Sequence, residues 1–307
     1  MRIAVVGAGG VGGGFGAALA KAGADVTFIA RGAHLAAMKS EGLRLQSPRG
    51  DTHLVPTQAT DDPATIGKVD VVLFCVKLWD LESAAERIKP LVGPGTAVIP
   101  LQNGVDAADR LIPILGREAV MGGVAQISVS IIRPGVLQQV GTFMRMIFGE
   151  LDGSITKRGE DFLALCQKAG FDATLSKQIL TELWMKFIPL ATNASLTAVT
   201  RQPIGKLRDD PDIRPLFVSS VNEVIAIGRA KGIALPADAF EKTMDFLGHA
   251  PPAMKASMAL DLERGNRMEL PWLGGKVVAL GRELGVATPT HGMMYALLKP
   301  YIMGTPA

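Results

Sequence analysis

Gly7-Ala8-Gly9-Gly10-Val11-Gly12 reads GxGxxG, and its setting gives it weight: the apolar run Ile3–Val6 ends at its first glycine, and an alanine- and glycine-rich stretch follows. Gly7 allows a tight turn, Gly9 lets a pyrophosphate approach the backbone, and Gly12 permits close packing of helix on strand. The first N–H groups of the predicted helix Gly12–Ala22 have no partners of their own and suit phosphate oxygens. Gly7, Ala8, Gly9, Gly10, Val11 and Gly12 are therefore the expected cradle of a dinucleotide. In a chain with 35 glycines the bare pattern would mean little, so the strand before it and the helix after it carry the reading.

About twenty residues past Gly12, after the predicted strand Val26–Ile29, an NAD site places a carboxylate on the ribose 2′-hydroxyl. Arg31 stands there instead, and the next carboxylate is Glu41. A guanidinium suits a 2′-phosphate through paired, charge-assisted contacts, which predicts NADP(H) as the cofactor.

Outward from this loop, Val69–Val76 and Thr96–Pro100 read as further strands, with helices over Leu78–Ile88 and Asp106–Ile112 between and after them. Strands apolar on both faces, alternating with helices, imply a parallel sheet covered by helices. Past Val120 the pieces Gly123–Ile132, Leu137–Val140 and Met144–Phe148 look like antiparallel hairpins finishing that sheet. From about Ile179 strand signals nearly vanish, and helical windows follow at Leu180–Thr200, Ile213–Lys231, Ala237–Leu247, Ala253–Arg264, Leu270–Leu284 and Thr290–Ile302. The expected fold is α/β: an N-terminal Rossmann-type parallel-sheet domain over 1–177 for the cofactor, then an all-helical C-terminal domain over 178–307 for substrate and catalysis.

Composition narrows the function classes. With 307 residues, 48% apolar and 20% charged, the chain has material for two real cores. A net charge of +3, without blocks of like charge, marks no nucleic-acid footprint and no polybasic membrane patch. The two cysteines, Cys75 and Cys166, form no metal-ligand spacing and no disulfide framework, so no metal is expected and a reducing, cytoplasmic setting is. No apolar run reaches the ~18 residues a membrane span needs.

Several segments together resemble the ketopantoate reductase family, which reduces 2-dehydropantoate with NADPH. They are the glycine loop with Arg31, Cys75-Val76-Lys77, Leu101-Gln102-Asn103-Gly104-Val105, Trp184-Met185-Lys186, and Ser257-Met258-Ala259-Leu260-Asp261 followed by Glu269. The resemblance implies a Rossmann domain, a helical domain and a site in the cleft. It places Lys77 and Asn103 beside the cofactor and, more loosely, Ala125 against it through the backbone. It makes Lys186 the catalytic lysine, Ser257 the anchor of a substrate carboxylate, and Glu269 a contact to the cofactor or to the groups around the reacting carbonyl. Read without the family, Asn103 before Gly104 could equally be a turn residue, Lys77 a surface lysine, and Glu269 a helix-start carboxylate. Lys186 on an otherwise apolar helix needs a cleft or a route to solvent.

Relatives acting on ketopantoate usually carry asparagines where this chain has Leu190, Ala194 and Ile204. Asn193, seven residues on from Lys186 and within about 20° of it around a helix, is the nearest substitute and a candidate substrate ligand. Pro189 is expected to kink that helix. The sequence thus predicts a small 2-oxo acid as substrate, altered from ketopantoate, and leaves a homodimer open. Two other readings share the layout: a β-hydroxyacid or opine-type dehydrogenase, which lacks the match at Ser257 and Glu269, and a non-catalytic NADP-sensing protein, against which Lys186 speaks.

Overall fold

The computed structural model describes residues 1–304. Their contacts separate into two compact units: Met1–Gln102 with Asp106–Ile179, and Asn103–Val105 with Leu180 onward. The division thus falls two residues past the expected one, and the short piece Asn103–Val105 groups with the helices.

The first unit holds two sheets. Strands β1 (Arg2–Val6), β2 (Asp25–Ile29), β3 (Leu43–Gln46), β4 (Thr52–Leu54), β5 (Ala59–Thr60), β6 (Val71–Phe74), β7 (Ala97–Pro100), β8 (Gly122–Arg133), β9 (Val136–Gly149) and β10 (Asp172–Leu175) follow in chain order. One sheet runs β5-β2-β1-β6-β7, every pair parallel. Strand β6 and the edge strand β7 are buried along their whole length, as continuous apolar runs covered on both faces must be. Reversal of strand order on either side of β1 puts the glycine loop at a topological switch point, where ligands bind in sheets of this kind.

The pieces after Val120 do not finish this sheet, as expected from sequence, but build a second one. β8 and β9 pair antiparallel, and β9 continues to β10 on one path and through β3 to β4 on the other. The expectation missed β3, β4 and β10, which have four, three and four residues. The predicted break at Gly141 is also absent. β9 is one strand, and the register shift opposite Ile127 and Val129 is a bulge in which Gly141 takes φ +71.

Helix Gly10–Lys21 lies against both sheets, and its glycines make that approach. A Cβ on Gly10 would stand 1.9 Å from the Val129 carbonyl oxygen, and one on Gly12 2.2 Å from the Gly7 oxygen. The run Gly12-Gly13-Gly14 therefore serves packing more than phosphate. Gly10→Ala is expected to destabilise the chain by about 1–3 kcal/mol, the usual cost of overpacking against an unyielding neighbour. Denaturant unfolding indistinguishable from the unaltered chain would remove the contact with β8 from the account.

The second unit is helical around Ile179–Thr200, whose stretch Ala191–Ala198 is buried throughout. Around it stand Arg214–Ala230, Ala239–His249, Ser257–Glu263, Gly274–Leu284 and Pro289–Leu298. The central helix continues through Pro189 as a single element. Two windows are shorter than predicted. The stretch 253–256 stays outside a helix, and Leu273, at φ −107 and ψ −101, separates a single turn, Leu270–Trp272, from Gly274–Leu284.

A buried polar chain ties three of these helices together. Glu223 accepts from the backbone N–H of Thr290 at 2.7 Å and of His291 at 3.0 Å, and lies 2.8 Å from His291 Nδ1. Ser220 Oγ stands 3.2 Å from His291 Nε2 and donates to Thr192 Oγ1 at 3.0 Å. Burial alone would raise the Glu223 pKa, and the bonds from His291 and Thr290 outweigh it and hold the carboxyl below its ordinary range. The helix bearing Lys186 is thereby anchored from behind.

Candidate active site

In the first unit, a cleft of about 320 Å³ opens where β1 runs into the glycine loop. Gly7, Ala8 and Gly9 line it together with Arg31, His34, Cys75, Lys77, Asp80 and Ile131. Gly7 holds φ +94, and a side chain there would meet the Cys75 carbonyl at 2.9 Å. Gly9 is different: at φ −72 any residue is allowed, and a Cβ would meet nothing within 4 Å. The fold does not need a glycine at 9, whereas a pyrophosphate brought against the backbone does. This space fits the cradle to a dinucleotide. Gly9→Ala should therefore leave the melting temperature unchanged and weaken NADPH roughly three- to tenfold, about the loss of one modest contact. Unimpaired binding would show that phosphates do not sit there.

Of the other expected cofactor residues, Gly10, Val11 and Gly12 belong to the helix that follows the loop. Arg31, with 72% of its side chain exposed, pairs with Asp80 at 2.8 Å. Lys77 holds its ammonium 5.5 Å from the centre of the Trp79 ring, a cation–π distance. Ala125 is buried in β8 within the core of the unit, and the structure does not bring it to the lining of this cleft. Sequence reasoning missed His34 and Asp80. His34 lies in helix Gly32–Glu41, which the sequence reading passed over, and Asp80 had no signal beyond its place three residues after Lys77.

In the second unit the chemistry gathers around Lys186. Its Nζ donates to Asn103 Oδ1 at 3.1 Å, and Asn103 lies where the chain turns, Gly104 holding φ +96. Burial lowers the Lys186 pKa to about 8, with the Glu269 carboxylate pulling it upward. Glu269 is itself buried, at the start of the turn Leu270–Trp272. Ser257 is exposed in the first turn of Ser257–Glu263.

Asn193 is 6% exposed, and its Oδ1 has no hydrogen-bond partner among the described residues. Ala194 and Ile204 lie in the core of the unit, fully buried, whereas Leu190 is partly exposed. Of the three apolar replacements, only Leu190 presents surface.

A dinucleotide-sized cradle on a parallel sheet and, in the helical unit, a buried lysine of pKa about 8 bonded to an amide are features of the class of nicotinamide-dependent oxidoreductases. Comparison with known proteins gives the family. The chain matches the ketopantoate reductase PanE/ApbA domain over residues 3–153 and the corresponding C-terminal domain over 178–301, and it belongs to that family. It is 31% identical to a 2-dehydropantoate 2-reductase of Mesorhizobium japonicum, with 97% of each chain covered. A PanE/ApbA family ketopantoate reductase of Ralstonia eutropha superposes with a TM-score of 0.90 at 32% identity, covering 98% of both chains. A D-mandelate dehydrogenase complexed with NADH and anilino(oxo)acetate shares the fold, with a TM-score of 0.88 at 21% identity and 98% of both chains covered. The chain is thus an oxidoreductase acting on a ketone or its alcohol, of a family that uses NADP(H). No helix among the described residues is long and apolar enough to cross a membrane.

Proposed function

We propose that this chain reduces the ketone of a small 2-oxo acid to the 2-hydroxy acid, and that its substrate carries an apolar tail where ketopantoate carries a hydroxyl. The observation that carries the reading is the Lys186 ammonium, desolvated to a pKa of about 8 and bonded to Asn103. NADPH, when bound, supplies the hydride. Negative charge then develops on the carbonyl oxygen, and the Lys186 ammonium stabilises it and donates the proton that completes the hydroxyl. A pKa near the working pH suits a general acid, which must be protonated before the step and give up its proton during it. Asn103 Oδ1 accepts one of the three ammonium hydrogens and so fixes the direction of the others. Glu269 keeps the lysine charged against its burial. Ser257, accessible at a helix start, is the proposed anchor of the substrate carboxylate. A homodimer is compatible with this reading, which does not require one.

Arg31 supports NADPH over NADH. An exposed pair such as Arg31–Asp80 is worth at most about 1 kcal/mol, so a 2′-phosphate exchanges it cheaply for a doubly charged partner. Isothermal titration should give NADPH at least tenfold tighter binding than NADH, and Arg31→Ala should erase most of that gap, a loss on the order of 1.5–3 kcal/mol. Equal affinities in the unaltered protein would remove Arg31 from cofactor selection.

A second reading is favoured by Asn193, whose Oδ1 lacks a partner. If this acceptor meets the ketopantoate hydroxyl, Asn193 stands in for the missing asparagines and ketopantoate itself is the substrate.

A further inference from the structure

His34 joins two parts of the first unit that are distant in sequence, and both of its ring nitrogens are engaged. Nε2 lies 2.9 Å from the carbonyl oxygen of Ala8, the middle residue of the glycine loop. Nδ1 lies 3.0 Å from the backbone nitrogen of Gly135, in the turn between β8 and β9. A carbonyl can only accept and a backbone N–H can only donate, so the partners require the neutral ring with its proton on Nε2. Gly135 is buried and held in turn: its carbonyl accepts from the Arg44 N–H at 2.9 Å. The same hairpin touches the start of the glycine-loop helix a second time, through the Val129 oxygen against Gly10, and contributes Ile131 to the lining of the cleft.

We propose that His34 is a positioning residue of the nucleotide site, locking the Ala8–Gly9 peptide of the cradle to the β8–β9 hairpin so that the cradle is preformed for the cofactor phosphates. The inference rests on the nucleotide reading of the cleft. Peptide planarity supplies the link: fixing the direction of the Ala8 carbonyl fixes that of the Gly9 N–H on the same plane. Gly9 is also the residue whose Cα faces open space. Without the clamp this peptide must be ordered at the moment of binding, and the ordering cost falls on affinity. His34 touches no reacting atom, so its effect is read in cofactor binding.

The test compares His34→Phe, which keeps a ring of similar size and loses both bonds, with His34→Gln, which keeps one N–H donor and one acceptor at a similar spacing. NADPH dissociation constants and Gly135 amide exchange are measured on both and on the unaltered chain. Expected are at least a tenfold rise in Kd for His34→Phe with faster Gly135 exchange, and a Kd within about threefold of the original for His34→Gln with exchange still slow. His34→Ala replaces the phenylalanine variant should that one fail to fold. Equal weakening by both substitutions, NADPH binding by His34→Phe within threefold of the original, or rapid Gly135 exchange in the unaltered chain overturns the proposal. An unaltered chain that binds no NADPH overturns the nucleotide reading and this proposal with it, and slow Gly135 exchange tells that failure apart from absence of the clamp.

Discussion

Lys186→Met is expected to leave NADPH affinity nearly unchanged while lowering turnover roughly 10²- to 10⁴-fold, the usual worth of a positioned acid. Methionine keeps much of the length and apolar stem of lysine, so the packing of the central helix should survive. What goes is the ammonium that Asn103 orients at 3.1 Å. The pH profile of the unaltered enzyme follows with a definite sign. Lys186 must be protonated to donate, and its pKa stands near 8, so reductive kcat/KM should hold below that value and fall about tenfold per unit above it. Glu269→Gln removes the charge that opposes desolvation, and its profile should break at lower pH. Steady-state rates across pH 6–10 check both points, and near-normal turnover of Lys186→Met with a good substrate would take Lys186 out of the mechanism.

The second large effect concerns the substrate. A buried polar group without a partner costs roughly 1–3 kcal/mol, so a site that lacks partners for the ketopantoate hydroxyl should disfavour it by about tenfold to a hundredfold. Leu190 is the accessible apolar side chain at one of the three altered positions, and Ala194 and Ile204, packed in the core, offer the substrate no polar atom. A 2-oxo acid of the same branching without the hydroxyl should therefore have the higher kcat/KM. A preference of tenfold or more for ketopantoate would refute this and establish the reading in which Asn193 receives the hydroxyl. Asn193→Leu then separates the cases: it should abolish such a preference, and it should leave an apolar 2-oxo acid nearly unaffected.

Much of this site was legible from the sequence because its signals are local. The strand before Gly7 and the helix after Gly12 are adjacent in the chain, so the parallel-sheet unit and its cradle followed from one stretch. Lys186 stood out as a charge on an apolar helix, and its pairing with Asn103 joins residues on separate family motifs. What escaped was what distant pairing decides. β3, β4 and β10 are too short to show a period, and they exist because β9 offers edges to β3 and β10, and β3 in turn to β4. The bulge at Gly141 looked like a strand end because glycine marks both. His34 gave no sign of itself, since its partners at Ala8 and Gly135 meet it only in the fold. Gly10 was read as part of the phosphate motif, whereas its contact to β8 accounts for it without a ligand; Gly12 packs helix on strand, as its place in the motif implies.

The central claim, NADPH-dependent reduction of a 2-oxo acid, is tested most directly by incubating the protein with NADPH and a panel of 2-oxo acids of graded tail size and polarity, with cofactor consumption and hydroxy acid formation measured together. The account predicts equal amounts of NADPH oxidised and 2-hydroxy acid formed, with the fastest turnover on branched or aromatic apolar tails and a loss of roughly 10²- to 10⁴-fold in Lys186→Met at matched cofactor occupancy. NADPH binding without oxidation by any member of the panel, or near-normal oxidation in Lys186→Met, would contradict it.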